Sequence, residues 1–181
     1  MRRFVLVVAL LAMTAACTEP EPAQLSGAEL SDSVVLKTTI ANATPSEEGT
    51  RGYGDLQYRH AEARRTHAIA PDIDPLTAFT EFLTAATGPD VAWNDVTCST
   101  RAGVIFMGGS ELVDRVATGL EVILHPEVPD IVVSVSAGPG DLTYDSLRPR
   151  EFKVYGECDP DTIARIKVAI GIPPAPPTTL T

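Results

Sequence analysis

The sequence predicts an α+β fold: a single small domain whose mostly antiparallel sheet carries about three helices packed on one face. Two observations lead there. From Leu76 onward the apolar periodicity reads helix, strand, helix, strand, strand, helix, an order that suits a sheet with helices on one side. Hydrophobic residues make up 44% of the 181-residue chain, ordinary for a folded protein and too many for wholesale disorder.

The elements follow in order. Val34, Leu36, Thr38 and Ile40 alternate with their neighbours, the period of a half-buried strand. Residues 44–73 give little structural signal, and a short amphipathic helix or an ordered loop both fit. Asp74-Pro75 opens a helix through Leu76, Phe79, Phe82, Leu83 and Ala86, with Asp as cap, Pro at the first position and Gly88 at the close. The run 102–107 is apolar on both faces, as a central strand would be. Ser110 predicts the cap of a second helix, in which Leu112, Val113, Val116, Leu120, Ile123 and Leu124 keep a helical period. A strand follows over Ile131, Val133 and Val135, then a turn cluster from Ala137 to Asp141. Phe152, Val154 and Cys158 share one strand parity, and Asp159-Pro160 starts a last helix carrying Ile163, Ile166, Val168 and Ile170.

The N-terminus has another purpose. Met1-Arg2-Arg3 is a positive start, Phe4 to Met13 an apolar run, and Thr14-Ala15-Ala16 a small-residue zone before Cys17. At ~1.5 Å per residue the apolar run spans about half a bilayer core, too little for a permanent membrane helix. The segment resembles a bacterial lipoprotein signal, and the resemblance implies cleavage before Cys17 and lipidation of that cysteine. The expected organisation is a signal peptide over 1–16, a lipidated N-terminus and flexible tether over 17–31, the α+β domain over 32–172 and a Pro-rich disordered tail over 173–181. The expected location is the cell envelope, membrane-anchored, on the outer membrane facing the periplasm in a Gram-negative host.

Chemistry is sparse. A formal charge of −10 argues against a nucleic-acid partner, since phosphate binding needs a basic surface. With Cys17 lipidated, Cys98 and Cys158 remain and are expected to form a structural disulfide in an oxidising compartment. His60 and His67 are too far apart on a helix to share a metal well, and His125, Glu127 and Asp130 read as turn residues. No nucleophile elbow or phosphate-binding loop is present, and neither a metal nor another cofactor is expected. From Arg51 to His67 four arginines (Arg51, Arg59, Arg64 and Arg65) meet two acids, with Tyr53 and Tyr58 interleaved. The stretch is a candidate contact for an anion or a partner protein, against the simpler alternative of internal pairing with carboxylates, and it is expected to be exposed and loosely packed. The reading is an exported, lipid-anchored envelope protein whose domain binds or assembles with an envelope partner. Its rival is a secreted hydrolase or metal-dependent enzyme built from scattered His, Asp and Glu residues.

Overall fold

The computed structural model describes residues 25–53, 60–99, 103–114, 116–137 and 151–173. Two one-turn helices come first, α1 (Gly27–Leu30) and α2 (Val34–Lys37), then a hairpin of β1 (Ala43–Tyr53) and β2 (His60–Ile69). Helix α3 (Pro75–Ala86) leads to β3 (Val91–Ser99), β4 (Val104–Val113), β5 (Val116–His125) and β6 (Asp130–Ala137). Strand β7 (Lys153–Gly156) and helix α4 (Pro160–Ala169) complete the described chain.

All seven strands join one sheet in the order β1-β2-β6-β5-β4-β3-β7, antiparallel except where β7 lies parallel to β3. Helix α3 carries the chain from β2 across to β3. The meander β3-β4-β5-β6 then walks back until β6 pairs with β2. The α+β expectation holds. One side of the sheet supplies the core: Val133, Val122, Met107 and Val96 lie in one cross-strand row, all fully buried. Phe79, Phe82 and Leu83 of α3 and Ile166 of α4 close over this side, with Leu25, Leu30, Val35 and Leu36 from the N-terminal segment. The buried side chains of the opposite side, Val104, Ala117 and Val132, stay outside this cluster.

The capping signals at both long helices were sound. Asp74 accepts from the Thr77 amide at 2.9 Å, and Asp159 accepts from the Thr162 amide at 2.9 Å. Elsewhere the structure corrects the sequence. The helix expected from Ser110 to Leu124 is the β4–β5 hairpin. Leu120, Val122 and Leu124 face the core at period two, while apolar residues on the other side, such as Ile123, imitate a helical spacing. The turn is two residues long and lacks glycine, because Asp114 itself takes the left-handed conformation at φ 45°. Val34–Lys37 is a helical turn rather than a strand, capped by the Ser33 hydroxyl, which accepts from the Leu36 amide at 3.1 Å.

The stretch 44–73, poor in sequence signal, holds β2 and all of β1 but its first residue. Part of Arg51–His67 is therefore interior: Ala63 and His67 are buried and β2 lies between β1 and β6. The expectation of loose packing fails there, and residues 54–59 lie outside the described residues. Leu25 and Leu30, within the 17–31 span expected as tether, belong to the core.

Cys98 and Cys158 form a disulfide with Cα atoms 5.1 Å apart, fixing the junction between β7 and α4 to β3. Both cysteines are half-buried at the margin of the core rather than deep inside it. Gly156 sits beside them at φ +75°, where a Cβ would meet the Cys98 carbonyl oxygen at 2.2 Å, so no other residue fits. The bridge closes a span of 60 residues. In the chain-entropy model such a loop stabilises by ~4 kcal/mol, and a domain of this size moves ~2–4 °C per kcal/mol. Replacing both cysteines by alanine is expected to lower the calorimetric midpoint by ~10 °C, with the wild-type protein losing the same amount on reduction.

Candidate functional site

Because the core lies on one side of the sheet, the other side is where a partner can reach many strands at once. Its rows are set by strand register. One row runs Arg64, Ser134, Glu121, Gly108, Asp95 and Lys153; the next runs Thr66, Val132, Ile123, Phe106, Thr97 and Tyr155. The first is polar and the second largely apolar.

A shallow trough of about 470 Å³ crosses the polar rows. Small residues make its floor: Gly108, Gly119, Ser134 and Ser136. Glu62, Asp95, Glu121 and Asn94 stand around it. Two local features of the backbone create it. A bulge in β3 between Trp93 and Asp95 adds Asn94, which places an amide and a carboxylate side by side on the same face. Gly108 leaves room for that carboxylate, since a Cβ there would lie 2.7 Å from the Asp95 carboxylate oxygen and push the side chain aside. The Asn94 amide donates to the Ser110 hydroxyl at 3.4 Å, and its own oxygen has no hydrogen-bond partner among the described residues.

The arginines proposed from sequence do not form one patch. Arg64 is exposed on the open side, whereas Arg65, one residue on, points to the helix side and pairs with Glu48 of β1. Successive strand residues face opposite ways, so the cluster divides. Internal pairing thus accounts for Arg65. Arg51 stands opposite Glu62 in the β1–β2 register, and Arg59 lies outside the described residues, as does Cys17. His125 and Asp130 face each other across the start of the β5–β6 hairpin, while His67, one register step from Asp130 on the adjacent β2, is buried on the opposite side of the sheet. Among the described residues no group of three or more His, Cys, Asp or Glu side chains could hold a metal ion. The trough itself was missed from sequence, because Gly108-Gly109 reads as a turn or helix approach and its other parts come from four further strands.

The helix side holds two buried ionisable groups. Glu111 of β4 is fully buried, and its carboxylate accepts from the Ser33 hydroxyl at 2.6 Å and from the Val34 amide at 2.5 Å. Burial raises its pKa above the usual carboxylate range, against the opposing pull of the Ser33, Val34 and Val35 donors. His67 is fully buried, its ring 5.3 Å from that of Phe82, and neither ring nitrogen has a hydrogen-bond partner among the described residues. Burial lowers its pKa, with the Arg65 charge adding to the effect and Glu48 opposing it. Between α3 and α4 runs a groove of about 650 Å³ lined by Thr77, Thr80, Thr84, Ala164 and Val168. It is more apolar than its sequence suggests. Thr80 and Thr84 donate their hydroxyls to α3 carbonyls, at 2.9 and 2.8 Å, which leaves their methyl groups to line the groove.

No protein-family model, curated protein or solved structure matches this chain.

The histidine generates a pH dependence whose sign is fixed. Its folded pKa lies below the ordinary 6.5, so between the two values the unfolded chain binds more protons. Its contribution to stability is complete above pH 6.5 and is lost as pH falls through the folded value. Glu111 acts oppositely, its contribution being complete below 4.5 and lost as pH rises. The thermal midpoint is therefore expected to fall further in wild type than in His67→Leu between about pH 7 and pH 5, measured by circular dichroism. Equal falls in the two proteins would exclude His67 as the source.

Proposed function

We propose that this chain is an exported, lipid-anchored module of the cell envelope that binds a partner on the open side of its sheet. The observation that carries the reading is the one-sided core: helices close one side, while the other presents a trough with an adjoining apolar row spanning several strands. A side whose trough carries exposed Glu121 and Ser136, with exposed Arg64 in register beside Ser134, is a surface suited to polar recognition. The lipoprotein-like segment ending at Cys17 supports the address. No helix among the described residues is long and apolar enough to cross a membrane, so retention there would fall to the acyl chains.

The short tether sharpens this picture. Residues 18–24 separate Cys17 from Leu25, a contour of at most ~25 Å at ~3.5 Å per residue. An anchored domain is thereby kept next to the bilayer, within reach of partners in or on the same membrane.

Two measurements test the two halves separately. Cys17→Ser is expected to leave the membrane fraction or accumulate as uncleaved precursor; full membrane retention of a correctly cleaved Cys17→Ser protein refutes the lipid anchor. For the surface, Ser136→Trp fills the trough from an exposed position without touching the core. Crosslinking in intact cells followed by mass spectrometry is expected to recover a partner with wild type and to lose it with Ser136→Trp. Equal recovery with both would place the binding surface elsewhere.

A further inference from the structure

The two edges of the sheet are built differently. β1 is long but guarded: Pro45 removes a donor, the register shift around Ser46 bends the strand, and Glu47 and Glu48 add charge. β7 has no proline and no bulge, and it exposes two large apolar side chains, Val154 at 41% and Tyr155 at 49%. No described strand pairs with its outer side. Lys153, its first residue, and Glu157, the residue that follows it, carry opposite charge and are both exposed.

We propose that β7 is a self-association edge, on which a second copy of this chain adds antiparallel with the two-fold axis at Tyr155. In that arrangement Lys153 of each copy meets Glu157 of the other, so the edge is complementary to itself and the charge pair is made twice. The two Tyr155 rings meet at the axis. Because Tyr155 ends the apolar row that runs through Thr97, Phe106, Ile123 and Val132, the pairing joins the rows of both copies into one band across a doubled sheet. The commitment to a second copy rests on this charge symmetry. A parallel addition sets Lys153 beside Lys153, and an unrelated strand has no reason to match both ends.

The contact is small. Four residues form β7, and Gly156 at φ +75° turns the chain at its end, so the interface falls below the ~1,200 Å² lower bound of standard interfaces. Dimers therefore form at high local concentration, such as two-dimensional confinement provides. The pairing does not depend on the proposed anchor; the concentration at which it forms does.

The test places the photocrosslinker p-benzoylphenylalanine at Tyr155 of the full chain in producing cells, with Val168 on α4 as the control position. A self-adduct is expected from position 155 and none from 168. Lys153→Glu and Glu157→Lys each replace two attractive pairs by two repulsive ones and are expected to cut the adduct by about tenfold. The double variant restores both pairs in reverse and is expected to recover the adduct to within about twofold of wild type. Unchanged thermal midpoints confirm that the variants fold. Absence of a self-adduct, an adduct of another mass, insensitivity to the single variants, or failure of the double variant to restore it would each overturn the proposal.

Discussion

Closure of the core depends on the buried carboxylate of Glu111. The two N-terminal helices are one turn each, far below the length at which a helix holds itself in water, so they persist through docking alone. Their apolar residues pack where β1, β2 and β6 lack cover from the longer helices. Glu111 reaches from β4 to the start of α2 and accepts from a hydroxyl and backbone amides that would otherwise be buried without partners. Burying a carboxylate is costly, and charge-assisted hydrogen bonds from several donors are what offset the cost. Thr118, opposite Glu111 on β5, donates to the Glu111 carbonyl at 3.0 Å, so the residue is held from two directions. The same contact makes the segment from Leu25 to Lys37 part of the domain.

The other side of the sheet lies outside the main core cluster, although Val104, Ala117 and Val132 are buried on it. Glycines sit in the interior of β4 and β5, where strand propensity disfavours them. At Gly108 the reason is visible, since the bulged β3 lays Asp95 across it. His67 shows the converse on the core side. A polar ring is accepted there without hydrogen bonds, packed against Phe82, because burial keeps it neutral.

What could be read in advance follows from where local signals agree with tertiary ones. Asp-Pro pairs mark the starts of α3 and α4 because the cap and the fixed proline φ act within one turn. Cys98 and Cys158 could be paired because they are the only cysteines in the sequence outside the N-terminal segment, and two thiols have one simple pairing. The β4–β5 hairpin was illegible because apolar residues occupy both of its faces and Asp114 turns the chain without glycine. β1 was hidden by the residues that guard it: Pro45, Glu47, Glu48 and Gly49 are poor strand formers chosen by an edge. α2 alternates like a strand because four residues are too few to show a helical period. Most of the trough was beyond reach for a plainer reason, since register alone brings Glu62, Asn94, Glu121 and Ser134 together.

The position of β6 has a kinetic consequence. It is the last of the antiparallel strands to leave a ribosome or a translocation channel, yet it belongs between β2 and β5 in the middle of the sheet. Ala61 waits for Ala137, and Ala68 waits for Asp130. Until then the inner edge of β2 has its amides and carbonyls unsatisfied and its apolar side chains uncovered. High sequence separation between partners slows folding, and an open interior edge invites pairing with the wrong chain in the meantime. A newly made molecule of this topology spends its vulnerable interval with the centre of its sheet missing, and holdase chaperones that shield β2 would act on that interval more than on the finished fold.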